Sequence, residues 1–318
     1  MNETPSFVDR FYEMLLGKGR KPSTIKRYRS DLLHFFRWME HTFGETNEAM
    51  MRKLTVDQLQ SFFQTLHEAN YSHATIRRIG VVINRLFHHF SINVGCEITD
   101  LTDTETLRPL SKNDFIQDDE FERLYHSFAD QDYLPHHVPS ARKDLKHRNQ
   151  AIVLLVRYIG LTPTELSQIK MKDVNFAQKE IVVRSAKRTR TFVISDKIHH
   201  HLITYYRSIP KEVRPHYFSD HPLFVAYNNV SFSFQYDYEA NCPKYLSVRG
   251  IQEMIKEEVR RAGLRKISAL HLRNQCILDA LLKGKPTDEI VTYFDLTSSF
   301  SLHRYVKYAQ QLMKNLDV

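Results

Sequence analysis

Residues 5–94 repeat one pattern four times, an apolar stripe at the 3.6-residue spacing of a helix, and this constrains the fold more than any other feature. Phe7, Phe11, Met14 and Leu15 form the first stripe, with Thr4 as its expected cap, Pro5 in the first turn and Gly17 to Gly19 at its end. Ile25, Tyr28, Leu32, Phe35, Phe36 and Met39 form the second, opened by Ser23 or Thr24. Thr55 and Gln58 have capping-box spacing ahead of a third stripe, Val56, Leu59, Phe63 and Leu66. A fourth helix is expected from about Ser72 to Phe90, burying Ile76, Ile79, Ile83, Leu86 and Phe90. Each stripe needs apolar partners to leave water, and short connections favour a compact bundle over residues 1–94. Periodicity then lapses over 95–113, a stretch rich in Thr, Asp and Glu with Pro109 near its end, which is expected to be an interdomain linker.

Residues 114–318 read differently. Asp118 to Phe128 and Arg148 to Ile159 are expected helices, and Ser247 opens another that ends near Gly263. Residues 180–184 and 191–195 are β-branched runs flanking the basic turn SAKRTR, a hairpin pattern. The aromatic-rich stretch from Leu223 to Tyr245 fits no element. The expected class is therefore mainly α with a small β-sheet, an α+β chain of two domains.

The net charge of +8 suits a polyanionic partner. Cys96, Cys242 and Cys276 form no CxxC pair, as expected for a reducing compartment. The amino terminus lacks a signal-peptide apolar run, and the longest wholly apolar run, Ala151 to Val156, is far too short to cross a bilayer. A soluble, cytoplasmic protein is expected. His199, His200 and His201 are consecutive and would point in three directions on a helix, and no Cys or His pairs have zinc spacing; neither metal nor cofactor is expected.

Near the carboxyl end, Leu272 and Arg273 precede Tyr305, which stands nine residues after Leu296. This frame resembles the tyrosine recombinases, the phage integrase family, whose signature runs His-x-Leu-Arg-His, Leu-Gly-His and then a tyrosine nine residues on. The resemblance implies an amino-terminal helical core-binding domain, a linker and an integrase-like domain over 114–318. It also implies a tyrosine that attacks DNA phosphorus, two arginines on the non-bridging oxygens, a hairpin lysine that protonates the 5′-oxygen, and two proton-transfer positions. Arg273 matches the second arginine, Lys187 the hairpin lysine and Tyr305 the nucleophile. Thr162 stands where the first arginine belongs, and Thr162-Pro163-Thr164-Glu165 reads as a capping box with proline in the first turn. Leu270 and Leu296 stand at the two proton-transfer positions, and Asn274 follows the arginine. His271 is one residue, about 100°, from the first of them.

From these departures the chain is expected to be no enzyme: a sequence-specific DNA-binding regulator on a recombinase scaffold that has lost strand exchange, such as a phage or prophage repressor of the kind known from SPβ-like Bacillus phages. Lys187, Arg273 and Tyr305 would then be vestigial. Two alternatives stay open, an active recombinase with a rearranged site and a non-enzymatic protein that structures DNA. Under each reading the partner is double-stranded DNA. Expected contacts are Arg20, Lys21, Lys26, Arg27 and Arg29 around the second helix, and Arg77, Arg78 and Arg85 on the polar face of the fourth. Lys187, Arg188, Arg190 and Arg273 are expected contacts in the second domain, with Arg184, Lys244, Arg249, Arg260, Arg261, Arg265 and Lys266 extending the basic surface. Tyr308, Leu312 and Leu316 share a face of the last helix, where self-association is possible.

Overall fold

The computed structural model describes residues 3–102, 108–128 and 139–316, with the side chains of 139–144 and 316 outside the description. Residues 103–107 of the expected linker and the Leu316 side chain therefore lie outside the described residues. The chain forms two compact units, Met1–Arg108 and Pro109–Val318.

The first unit is helical. After a 3-10 turn, Ser6–Val8, come α1 (Asp9–Gly17), α2 (Pro22–Phe43), α3 (Glu48–Arg52), α4 (Val56–Glu68) and α5 (His73–His89). The stripes face one another, and Phe11, Leu32, Phe35, Phe36, Phe62, Phe63, Ile79 and Ile83 are all within 2% of complete burial. Each such side chain contributes about 1.5–3 kcal/mol on leaving water. Thr55 and Gln58 form the expected capping box, and Ser72 caps α5 by accepting from the Thr75 N–H. Three local expectations are corrected. Thr4 caps nothing and instead accepts from the Tyr12 hydroxyl at 3.4 Å, because the chain enters by a 3-10 turn rather than directly by a helix. Pro22, not Ser23 or Thr24, begins α2, with Lys21 at its cap. A fifth helix, α3, is too short to show a stripe; Asn47 caps it at 2.8 Å from the Met50 N–H. Ile98, in the stretch read as linker, is 1% exposed in this unit's core.

The second unit combines helices with small antiparallel sheets. Its elements begin with α6 (Asp118–Ser127) and α7 (Pro139–Leu154), which runs into a π turn, Leu155–Ile159. Next come α8 (Pro163–Gln168) and the antiparallel sheet β1 (Val174–Asn175), β2 (Glu180–Arg184) and β3 (Thr189–Val193). In the hairpin Val183 pairs with Arg190 and Arg184 with Thr189, so β3 starts two residues earlier than the apolar run suggested. After α9 (Asp196–Ser208), the unassigned aromatic stretch holds two short antiparallel pairs, β4–β5 (Tyr227–Asn228, Ser233–Phe234) and β6–β7 (Tyr236–Asp237, Cys242–Pro243). The chain closes with α10 (Val248–Arg261), α11 (Ala269–Leu282), α12 (Thr287–Tyr293) and α13 (His303–Leu316). The class is mainly α with small antiparallel sheets. Among the described residues no helix is long and apolar enough to cross a membrane.

Candidate phosphate-holding site

The site is assembled where α8, β3, α11, the end of α12 and α13 meet. Thr162 starts α8 as a capping residue: its hydroxyl accepts from the Glu165 N–H at 3.2 Å, and Glu165 Oε2 accepts from the Thr162 N–H at 2.7 Å. Thr162 Oγ1 also donates to that oxygen at 2.6 Å. The cap leaves Oε1 of Glu165 free to face β3, where it forms an ion pair with Arg190. Arg273, on α11, stands 3.8 Å from Oε2 of the same carboxylate. Two guanidinium groups thus converge on one carboxylate, and the side chains of Arg190, Arg273 and Glu165 are 7%, 12% and 11% exposed.

Backbone carbonyls hold both arginines. Arg190 donates to the Tyr293 carbonyl at 2.7 Å, and Arg273 donates to the Phe294 carbonyl at 2.6 Å and to the Gly160 carbonyl. Residues 293 and 294 end α12, where the last carbonyls lack helical partners and carry the negative end of the helix dipole. Gly160 has φ +74°, and a Cβ there would lie 2.2 Å from the Phe294 ring, so this approach requires glycine. Burial pulls the Arg273 pKa below its ordinary value, opposed by the Glu165 charge. Nε of Arg190 is buried with no hydrogen-bond partner, which leaves a donor for a further acceptor.

Tyr305 lies on α13 beside this pair. Its hydroxyl donates to Asn274 Oδ1 at 2.7 Å, and burial raises its pKa above the usual phenol value while Arg273 and Arg304 oppose the rise. Leu270 is 61% exposed, and Leu296 packs in a small cluster with Cys276, Phe294 and Tyr305. His271 is directed elsewhere: its Nδ1 accepts from the Ser268 N–H at 3.1 Å, closing the cap of α11. Cavities flank the site, one of about 670 Å³ touching Thr162, Leu270 and Arg273, and one of about 1230 Å³ touching Glu165, Lys170, Arg184 and Arg249. Among the described residues no group of three His, Cys, Asp or Glu side chains is placed to hold a metal.

The basic residues fall into two sets. Arg20, Lys21, Lys26, Arg27, Arg77 and Lys187 are exposed. Lys244, Arg249 and Lys266 are exposed as well, as are Arg260 and Arg261, which pair with Glu257 on their own helix. Several others are engaged within their own unit. Arg78 grips the buried Asp31 with two bonds of 2.9 and 2.8 Å, Arg85 bonds the Tyr28 hydroxyl, and Arg29 pairs with Asp9 at 3.2 Å while lying over the Tyr12 ring. The expectation that solvent or DNA is the neighbour of Arg78 and Arg85 is thus corrected, because α5 turns both toward α2. Arg184 bonds Asp173 at 3.0 Å, Arg188 is half-buried in the turn, and Arg265 is bidentate to Glu120 at 2.6 and 3.0 Å. From sequence Arg190 is expected as a surface contact and Glu165 as a cap only; their pairing spans 25 residues and has no local signal.

The sequence family described as phage integrase, N-terminal SAM-like domain, matches residues 8–93. The XerC tyrosine recombinase of Oceanobacillus iheyensis is 24% identical over 199 residues, 61% of this chain and 59% of the relative. A XerD-like tyrosine recombinase of Streptococcus suis is 28% identical over 49% of this chain and 53% of the relative, so the chain spans little more than half the length of these relatives. The XerD-like tyrosine recombinase of Streptococcus uberis is 22% identical over 92% of this chain and 96% of the relative. Among solved structures, the XerH recombinase bound to its palindromic substrate matches with a TM-score of 0.64 at 14% identity, covering 92% of this chain and 79% of that one. A lambda integrase dimer bound to a core site also gives 0.64, at 12% identity, covering 96% of this chain and 77% of that one. The fold is that of these recombinases. The expectation that the chain is no enzyme is overturned here: the relatives it matches are tyrosine recombinases, which are enzymes, and the changed residues do not show that activity is lost.

Proposed function

We propose that this chain, which belongs to the tyrosine recombinase (phage integrase) family, binds double-stranded DNA at specific sites and breaks and rejoins a strand through a rearranged centre. One observation carries the reading: Arg190 and Arg273 converge on Glu165 beside the Tyr305 helix. A phosphodiester gathers negative charge on its non-bridging oxygens as it is attacked, and two fixed guanidinium groups are suited to that charge. In this reading Arg190 supplies from β3 the cation that Thr162 does not. Tyr305 Oη attacks phosphorus and forms a 3′-phosphotyrosyl bond; the bond to the 5′-oxygen breaks, and Lys187 gives that oxygen a proton. The phenol proton passes to water, since Leu270 and Leu296 take no proton. Each missing donor costs such a reaction about 10²–10³ in rate, so slow strand transfer is expected.

Affinity would come from the exposed Arg20, Lys21, Lys26 and Arg27 at the start of α2, where helical N–H groups also favour phosphate. XerH and lambda integrase, whose folds this chain shares, were both solved on DNA. A half-nicked duplex carrying the site recovered by genome-wide binding tests the proposal. A denaturant-resistant protein–DNA band that is absent in Tyr305→Phe is expected; no such band from wild-type protein overturns the covalent step.

The leucines at 270 and 296 favour a second reading, control of transcription by occupancy of an operator, as in a phage or prophage repressor. Binding alone suffices for that role. Transcript changes confined to bound promoters after depletion would support it, and their absence would remove it.

A further inference from the structure

Asn274 is 5% exposed, and its amide is bonded at both ends. Oδ1 accepts from the Tyr305 hydroxyl at 2.7 Å, and Nδ2 donates to the Asp114 carbonyl at 2.9 Å. A neutral amide can bridge a donor and an acceptor in this way without burying a charge. Asp114 ends a 3-10 turn, Lys112–Asp114, whose carboxylate accepts from the Ser111 N–H at 2.8 Å and from its hydroxyl at 3.1 Å. Arg265 grips the same stretch through the carbonyls of Asn113 and Phe115, at 2.7 and 2.5 Å. The Phe115 ring stacks on Tyr308 at 4.8 Å and meets Tyr305 edge-on at 6.3 Å. Segment 111–116 therefore rests on α13, and it lies just inside the boundary at Pro109 where the chain enters this unit.

We propose that Asn274 is a positioning residue for Tyr305, tying its hydroxyl to the Asp114 carbonyl so that the placement of the tyrosine and the order of segment 111–116 are coupled. The proposal rests on the reading of Tyr305 as nucleophile for its chemical meaning, but not for its test. An amide oxygen accepts the hydrogen bond and is far too weak a base to take the proton. Attack on phosphorus therefore requires the hydroxyl to exchange Asn274 for water or another base. Any displacement of segment 111–116 weakens the same bond from its other end.

The test uses the full chain and no cleavage. Tyr305→Phe keeps the ring and removes one oxygen; amide exchange at Phe115 and Ile116 is expected to rise on the order of 3- to 10-fold, the equivalent of one lost net hydrogen bond. Exchange in β2 serves as the internal control and is expected to hold. In parallel, 3-fluorotyrosine placed at position 305 is titrated by fluorine NMR in wild-type protein and in Asn274→Ala. Loss of the acceptor and entry of water favour the phenolate, so the variant's ring is expected to ionise at lower pH. Unchanged exchange at 115–116 in Tyr305→Phe overturns the coupling even where Asn274→Ala does not fold, and an unshifted fluorine titration overturns the positioning role. Failure here leaves covalent trapping untouched, and failed trapping leaves these two readouts intact.

Discussion

Arg190 and Glu165 form an ion pair between β3 and α8 with both side chains almost wholly removed from water. A charge in that position is costly without its partner, while the pair together is close to neutral in energy. Arg190→Met is expected to destabilise the second unit by about 3–5 kcal/mol in urea denaturation. Combining it with Glu165→Gln, which keeps the cap acceptor, is expected to cost less than the sum of the single changes. Strict additivity would show that the pair is not coupled.

Thr162 is bonded to Glu165 by both its backbone and its hydroxyl, so its side chain serves the start of α8. Thr162→Ala is expected to lower stability by about 1 kcal/mol, read as a shift in urea midpoint, and Thr162→Ser to restore most of it. Equal losses in both variants would argue against the hydroxyl.

Arg78 and Arg27 were indistinguishable as basic residues on paired helices, and they are expected to fail differently. Arg78→Ala leaves Asp31, 3% exposed, without its partner. A loss of about 3 kcal/mol in bundle stability is expected, at the low end of the range because water reaches the Arg78 side. Arg27→Ala is expected to leave stability unchanged and to reduce the slope of log affinity against log salt by about 0.9, one phosphate contact. An unchanged slope would remove Arg27 from the DNA-binding surface.

His201 is buried between α7 and α9, 2.6 Å from the Tyr125 hydroxyl and 2.9 Å from His147 Nδ1. Burial first, then the charges of His147, His200, Lys197 and Lys146, lowers its pKa to about 4. The folded state therefore binds fewer protons than the unfolded one between about 4 and the ordinary value of 6.5. Its contribution is present above 6.5 and is lost as pH falls through about 4. His201→Gln is expected to flatten the fall of the urea midpoint across that window; an unchanged slope would assign the acid sensitivity to other groups.

Local signals carried the bundle and several of the helix starts. The stripes of α2, α4 and α5 and the caps at Thr55, Ser72, Thr162 and Ser247 depend on residues no more than four positions from the next, the hairpin around Lys187 pairs residues five to thirteen apart, and all are present. Elements lacking a period of their own escaped, among them α3 and the pairs β4–β5 and β6–β7, which are two residues per strand.

The sequence by itself determined the class, the family frame and the spacing that sets Arg273 and Tyr305 apart, because periodicity and caps are encoded where they act. Tertiary structure alone decided which charges are spent and which are available. Arg78 went to Asp31 across 47 residues and Arg265 to Glu120 across 145. Arg190 and Arg273 met at Glu165, and Tyr305 found Asn274 across 31 positions. An arginine in a sequence is only a charge; burial makes its partner obligatory, and only the packing of distant elements says which partner that is.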